Sequence, residues 1–193
     1  MKRSVASRRL VVDANVLRSA SNTDEARPPG SDCRAVLEAI YRICHRAVVS
    51  PALRAEYERH ASKYGVRWLE AMASKGKLED GEARTTSRAR GWMQSAALSS
   101  EREREELRKD LHLVLAALET DHVVVSSETK VRGLLERVLG DADPALGWAL
   151  VGPTTVAWLE AGAPLTAEIT VPHVPGPAHQ GRRNSSIPKP KAR

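Results

Sequence analysis

Short apolar runs rich in valine alternate along the chain with longer segments in which apolar residues recur every three or four positions. The runs cover residues 10–12, 47–49, 123–125 and 149–151. Runs of this kind are typical of strands buried on both faces, whereas the three- and four-residue spacing is typical of amphipathic helices. Strands that alternate with helices predict an α/β fold with a largely parallel central sheet.

Polar residues that can cap helices mark where two of the helices should begin. We expect one helix to start at Ser31 and to carry apolar residues at helical spacing as far as Cys44. Ser50 followed by Pro51 is the N-cap and first-turn pattern of another helix, which should run to about His60. Both helices would follow a predicted strand, as the α/β pattern requires.

The segment between residues 60 and 105 is expected to be helical but polar, and to be interrupted by its glycines. Ser100 with Glu103 forms a capping-box pattern for the next helix, which we expect to break near Asp110. Two shorter helices are predicted over residues 129–139 and 154–160, the second ending at Gly162.

Length and composition fit one compact domain. The chain has 193 residues, of which 41% are hydrophobic and 28% charged, and such a chain can bury a core without disulfide or metal support. It has no apolar run of about eighteen residues, which excludes a transmembrane helix, and its basic N-terminus lacks the features of a signal peptide. With only two cysteines, Cys33 and Cys44, the chain is expected to be cytoplasmic and without a membrane partner.

Basic residues are concentrated at the two ends of the chain. The first nine residues contain four basic side chains and the last sixteen contain five, with no acid in either segment. The whole chain has a net charge of +6, which leaves residues 10–177 with 21 basic and 24 acidic side chains. We therefore expect a basic N-terminal arm (1–9), a folded domain (10–171) and a disordered, proline-rich basic tail (172–193). Basic ends indicate a polyanionic partner such as nucleic acid; alternatively, they only keep the protein soluble.

Four acidic residues lie next to the predicted strands. Asp13 ends the first strand, and Glu56 lies in the first two turns of the helix after the second strand. Asp110 should begin the helix before the third strand, and Glu128 follows that strand. Because ligands bind at the carboxyl ends of parallel strands, we expect the four carboxylates to converge on one edge of the sheet. Converging carboxylates repel one another unless a divalent cation neutralises them, and oxygen ligands suit Mg²⁺ or Mn²⁺.

Three of these acids also have an ordinary structural explanation. Glu56 can be a solvated helix side chain, Asp110 can be an N-cap, and Glu128 can be an acid favoured by the dipole of its helix. Asp13 is harder to explain in this way, because an unpaired carboxylate inside an apolar strand is costly. The functional interpretation depends on the four acids being considered together.

Four blocks of the sequence resemble the PIN-domain nucleases, in the order expected for that family. LVVDANVLRSA is similar to the opening strand of the family, with Asp13 as the first metal-site acid and Asn15 and Ser19 as polar neighbours. VVSPALRAEYERH is similar to the second block, with Glu56 as the second acid.

The other blocks extend the resemblance over about residues 9–165. KDLHLVLAALETDHVVVSSE is similar to the third and fourth blocks, with Asp110 as the third acid and Glu128 where the family more often has aspartate. GWALVGPTTVAWLEAGAP resembles a C-terminal strand and helix of some members. The resemblance implies a PIN-like, three-layer α/β/α fold.

The function implied by the resemblance is that of an endoribonuclease, a hydrolase that cleaves single-stranded RNA with Mg²⁺ or Mn²⁺. Asp13 and Asp110 would be central ligands, while Glu56 and Glu128 would be outer ligands or would orient the attacking water. The basic ends and the Arg- and Lys-rich helices would hold the RNA backbone. The resemblance also implies the toxin of a type II toxin–antitoxin pair, with a small antitoxin partner and a homodimer as expected assemblies. The alternative is a catalytically inactive PIN-like module that binds RNA or a protein, which the glutamate at position 128 keeps open.

Overall fold

The computed structural model describes residues 7–20, 29–84, 86–139, 145–166 and 168–171. The predicted tail (172–193) and the first six residues of the predicted arm lie outside the described residues. The strands are β1 (Arg9–Val12), β2 (Arg46–Val49), β3 (Leu78–Asp80), β4 (Val123–Ser126) and β5 (Gly147–Leu150). The helices are α1 (Ala14–Ser19), α2 (Gly30–Arg42), α3 (Pro51–His60), α4 (Lys63–Ser74), α5 (Ser87–Met93), α6 (Glu101–Leu118), α7 (Thr129–Val138) and α8 (Thr155–Glu160).

The strands form one parallel sheet in the order β3-β2-β1-β4-β5, which confirms the predicted α/β fold. Strand β1 lies in the centre, paired with β2 on one side and with β4 on the other. The chain first builds outward from β1 to β3 and then returns to the other side of β1 to form β4 and β5. Such a reversal opens a crevice at the carboxyl ends of the two strands that flank it, where ligands bind in open α/β sheets. Here those strands are β1 and β4.

Helices flank the sheet and complete a three-layer arrangement. On one side α2 packs against α1, α4 and α8, and on the other α6 packs against α5, α7, β1 and β4. Helix α3 contacts both α1 and α6, which places it beside the crevice between the two helical layers. Within the described ranges no helix is both long enough and apolar enough to cross a membrane.

Serine side chains begin three of the helices by accepting a backbone N–H that the helix leaves unpaired. Ser50 Oγ accepts from Leu53 N at 3.3 Å, as its sequence context predicts. Ser100 Oγ accepts from Glu103 N at 3.2 Å, which confirms the predicted cap of α6. Ser62 caps α4 in the same way.

The prediction that a helix begins at Ser31 and reaches Cys44 is wrong at both ends. Helix α2 begins at Gly30, and its N-cap is Pro29, which already has a near-helical backbone (φ −83°, ψ −4°). Because the proline ring fixes φ in this range, the helical turn starts before Ser31. The helix ends at Arg42, so Cys44 lies beyond it.

The predicted break of α6 near Asp110 is also wrong. Helix α6 runs without interruption over 18 residues, and Asp110 lies in its middle rather than at a helix start. The helix is held on both sides of Asp110 by buried apolar residues that face the sheet, Leu107, Leu113 and Val114. Tertiary packing of this kind stabilises a helix through a polar stretch that would be marginal alone.

The polar middle segment contains a strand that the sequence pattern did not reveal. Strand β3 has three residues at the edge of the sheet, and its side chains are half-buried or exposed. A strand this short and polar carries no apolar run, so only its pairing with β2 identifies it.

The first described residues are attached to the body. Ser7 Oγ donates to the Cys44 carbonyl at 2.6 Å, and Arg8 N donates to Nδ1 of the fully buried His45 at 3.1 Å. The Arg9 guanidinium pairs with Asp121 at 2.9 Å. Residues 7–9 of the predicted arm are therefore held against the folded domain.

Gly65 lies inside α4 at a close contact between helices, instead of interrupting the segment as predicted. A Cβ atom at this position would lie 2.8 Å from the carbonyl oxygen of Leu17 in α1. Because both partners are backbone or buried, neither can move without displacing a helix. The glycine therefore fixes how closely α4 approaches α1.

Gly65→Ala should lower the free energy of unfolding by about 1–3 kcal/mol, because the added methyl group overpacks this contact. Gly133→Ala is the matched control, since a Cβ atom there meets nothing within 4 Å in the interior of α7. That change should raise the free energy of unfolding by about 0.5–1 kcal/mol through helix propensity. Urea unfolding of both variants gives the comparison, and equal effects would contradict the close-approach argument.

Candidate active site

Asp13 lies at the end of β1, in the crevice between β1 and β4. Its backbone N–H donates to the Val125 carbonyl at 2.9 Å, which continues the pairing of the two strands by one residue. Its side chain is 3% exposed and also caps α1, since Oδ1 accepts from Asn15 N at 3.0 Å. The sequence places an acid here because the chain must turn from a strand into a helix at this residue, and a buried N-cap carboxylate satisfies that turn.

Ser126 joins Asp13 to the segment that carries Glu128. Ser126 Oγ donates to Oδ2 of Asp13 at 2.6 Å and accepts from the backbone N of Glu128 at 2.9 Å. One fully buried hydroxyl thus positions both the first and the fourth of the predicted acids. The site depends on this contact between the ends of β1 and β4.

Glu128 is the N-cap of α7, and its Oε1 accepts from Lys130 N at 2.9 Å. Its backbone carbonyl accepts from Trp148 Nε1 at 3.1 Å, which fixes the loop against β5. The structural explanation given for this residue, an acid favoured at a helix start, therefore describes a real contact. The second carboxylate oxygen remains available to the crevice.

Asp110 faces the crevice from the middle of α6. Burial, together with the negative charges of Asp13, Glu56 and Glu128, raises the pKa of its carboxyl from the ordinary value of 3.8 to about 6, while His112 opposes this rise. The influence of these three acids on Asp110 shows that the four predicted carboxylates lie in one electrostatic neighbourhood. Asp110 is not an N-cap, so that explanation does not apply to it.

Glu56 points from α3 toward α6, where it meets His112. Nε2 of His112 lies 3.4 Å from Oε2 of Glu56, an ion-pair distance without the alignment of a hydrogen bond. Nδ1 lies 2.9 Å from the Lys109 carbonyl and must donate to it, so a neutral ring would turn a lone pair toward the carboxylate. Burial alone lowers the pKa of His112, but Glu56, the Lys109 carbonyl and Asp110 together raise it above its ordinary value.

Neighbouring residues hold these side chains in place. The buried Tyr57 hydroxyl donates to the Val12 carbonyl, which ties α3 to the end of β1 beside Asp13. Asn15 Nδ2 donates to Asp13 Oδ2 at 3.3 Å, so this predicted neighbour does contact the first acid. Ser19, the other one, is the last residue of α1, and no hydrogen bond in the described ranges links it to the four acids.

Two of the four acids, Asp110 and Glu128, line a cleft together with Glu106, Lys109 and Lys130. Its walls come from α6 and from the start of α7, and it has a volume of about 160 Å³. Among the described residues no lysine or arginine forms an ion pair with Asp13, Asp110 or Glu128. A set of oxygen donors without a cationic partner has the chemistry that Mg²⁺ or Mn²⁺ requires. As the side chains stand, however, no three His, Cys, Asp or Glu in the part of the chain described here are arranged to hold one ion.

Two residues of the site, Ser126 and His112, have no clear signal in the sequence. Ser126 ends an apolar strand and lies two residues before an acid, a spacing that allows one hydroxyl to reach both the strand before it and the loop after it. His112 follows Asp110 by two positions on the same helix, a spacing that does not reveal its partner. It faces Glu56 because α3 contacts α6 at this point.

A scan of the chain against models of known protein families finds no match, and a search of curated proteins likewise finds none. The resemblance to PIN-domain nucleases therefore rests on the motifs themselves.

Asp110→Asn should change how stability depends on pH in the metal-free protein. Because the pKa of Asp110 is raised on folding, the folded state binds more protons than the unfolded state between about pH 4 and 6, and stability falls as pH rises through that window. Removing the charge should flatten this fall and stabilise the protein above pH 7 by on the order of 1 kcal/mol, after allowing for solvent screening. Urea unfolding in EDTA from pH 4 to 8 measures the difference.

Glu119→Gln removes an exposed carboxylate at the end of the same helix and serves as the control. Its plot of unfolding free energy against pH should run parallel to that of the wild type. If the plot for Asp110→Asn were also parallel to that of the wild type, ionised Asp110 would not destabilise the folded state as predicted.

Proposed function

We propose that this chain is a metal-dependent endoribonuclease that cleaves single-stranded RNA. The observation that carries the proposal is the convergence of acids from separate parts of the chain on the β1–β4 crevice. Asp13, Glu56 and Glu128 all raise the pKa of Asp110, although 97 positions separate the first acid from Asp110. Repulsion among converging carboxylates destabilises the folded state. A site for a divalent cation would explain why the acids are nevertheless brought together.

In this proposal each acid has a role that follows from its position. Asp13 and Asp110 are the inner ligands, because Asp13 is buried and burial is the main cause of the raised pKa of Asp110. Glu56 and Glu128 have longer side chains that can rotate toward the same ion or orient a water molecule. A bound Mg²⁺ or Mn²⁺ supplies Lewis-acid stabilisation of phosphate charge and an activated water. His112, when protonated, pairs with Glu56 and holds it in place.

The resemblance to PIN-domain nucleases supports RNA as the substrate. The blocks that carry it supply Asp13, Glu56, Asp110 and Glu128, the same four acids that raise or carry the perturbed pKa in the crevice. The toxin role, an antitoxin partner and a homodimer stay predictions from the resemblance.

A second candidate function is a module that binds RNA or a protein without cleaving it. It is favoured by two features of the site: Glu128 already serves as a helix cap, and no three ligands are preassembled among the described residues. The two candidates differ in what a divalent cation does. A nuclease binds the ion in its folded state and is stabilised by it, whereas an inactive module has no such requirement.

Asp13→Asn should abolish RNA cleavage while leaving the protein folded. Asparagine is also a good N-cap, so the start of α1 is retained, and loss of one charge relieves repulsion in the cluster. We expect cleavage to fall by about 100-fold or more, because the lost ligand is worth several kcal/mol in the transition state. Single-turnover cleavage of a labelled single-stranded RNA in Mn²⁺ measures the rate.

The melting temperature provides a second measurement on the same variant. Millimolar Mn²⁺ should raise it for the wild type and for Glu70→Gln, a control on the exposed face of α4, but much less for Asp13→Asn. A wild type that Mn²⁺ neither stabilises nor activates would leave the binding module as the better assignment.

Glu128 can be tested by two substitutions that both retain a cap acceptor. Glu128→Asp should keep or raise the cleavage rate, whereas Glu128→Gln should lower it by about 10-fold or more if the carboxylate helps to position metal or water. Equal single-turnover rates for the wild type and both variants would show that Glu128 acts only as the cap of α7.

A further inference from the structure

Most basic side chains around the candidate active site are already neutralised by acids on the same helices. On α6, Arg102 pairs with Glu106 at 3.4 Å, and Arg108 pairs with Glu105. On α7, Arg132 pairs with Glu136 at 3.1 Å. The expectation that Arg-rich helices hold the RNA backbone therefore does not suit these residues, because exposed ion pairs present little net positive charge.

Two lysines at the mouth of the cleft differ from this pattern. Lys109 stands on the α6 wall next to Asp110, and Lys130 stands on the α7 wall next to Glu128; both line the cleft. Both are exposed, and within the described residues their ammonium groups form neither an ion pair nor a hydrogen bond. The carboxylates of Glu106, Asp110 and Glu128 share the cleft with them, yet neither ammonium group pairs with one of these acids.

An unpaired ammonium group beside unpaired carboxylates can attract RNA, because RNA is a polyanion. Residues 10–177 carry a net negative charge, and the crevice adds a local excess of negative charge that repels a phosphate. A lysine is a flexible point charge with three donors, so it can contact a phosphate without any preformed geometry. Lysines on both walls would reduce the repulsion at the place where RNA must approach.

We infer that Lys109 and Lys130 form a two-lysine phosphate clamp, in which each ammonium binds a phosphate of single-stranded RNA entering the cleft. The inference rests on the proposed function, since it names how the same site takes its substrate. The clamp is independent of base sequence because it reads only the backbone. It acts in binding and in substrate placement and leaves the hydrolytic step to the acids.

Salt-dependent RNA binding tests the clamp. The full-length double variant Lys109→Gln/Lys130→Gln and the wild type are titrated onto a labelled single-stranded RNA oligonucleotide, with Ca²⁺ in place of Mg²⁺ to prevent turnover. Each lost phosphate contact flattens the plot of log Kd against log [KCl] by about 0.7, so the double variant should lose about 1.4 of slope and bind roughly tenfold more weakly near 150 mM salt. Lys109→Arg/Lys130→Arg should restore both values.

The matched control removes two positive charges from α4, which packs with α2 on the side of the sheet away from α6. Lys63 begins α4 and Lys75 caps its end; both are exposed, and neither forms an ion pair within the described residues. Lys63→Gln/Lys75→Gln should leave the slope close to that of the wild type. An equal flattening in this control would show that only net charge matters, and superimposable lines for the wild type and the clamp variant would overturn the clamp directly.

Cleavage measured in parallel separates the two proposals. If the wild type cleaves RNA in Mn²⁺ while the clamp variant binds like the wild type, the clamp is wrong and the nuclease stands. If the wild type does not cleave but the clamp variant loses salt slope, the nuclease is wrong and the clamp stands. If both hold, the clamp variant should have a raised KM and a nearly unchanged rate at saturating RNA.

Discussion

The contact between the carboxyl ends of β1 and β4 is the constraint on which the rest of the molecule depends. The chain reverses direction across the sheet at this pair of strands, and Asp13 fills the gap that the reversal opens. A carboxylate that is 3% exposed persists there because Asn15 and Ser126 donate to its oxygens. The same contact sets the position of Glu128 through Ser126. One buried hydrogen-bond network therefore joins the ends of β1 and β4 and positions two acids of the candidate site.

The distribution of charge differs between the outer helix faces and the crevice. On the outer faces of α6 and α7, arginines and glutamates alternate and pair, which makes those surfaces nearly neutral. Inside the crevice, burial and the nearby charges of Asp13, Glu56 and Glu128 raise the pKa of Asp110 to about 6, and among the described residues the only basic side chain within ion-pair distance of the four acids is His112. A cluster of this kind is a standing cost to the folded state, which is the physical reason to assign it to function and not to stability.

The sequence predicted the elements that carry strong local signals. Valine-rich runs identified four of the strands, and serine caps identified the starts of α3 and α6. Burial and capping each require particular residue types over a few consecutive positions, so both are visible in the local sequence. Local sequence patterns failed to predict features that depend on contacts between distant parts of the chain. Strand β3 exists through its pairing with β2, α6 continues past Asp110 because the sheet supports it, and His112 meets Glu56 only because α3 contacts α6. The candidate acids could be identified from the sequence, but their hydrogen-bond partners could not.

Glu128 and Asp13 show how a structural role and a proposed functional role can reside in one side chain. Each begins a helix with one carboxylate oxygen, and each follows a strand that ends in the same crevice. Capping holds an acid at the start of a helix, where the backbone N–H groups favour negative charge, and so it offsets part of the repulsion that gathering acids creates. Asp110 has no cap to make, and it is the acid whose pKa is raised to about 6. In the proposed function, a bound cation would therefore offset the cost that burial and the neighbouring charges place on Asp110.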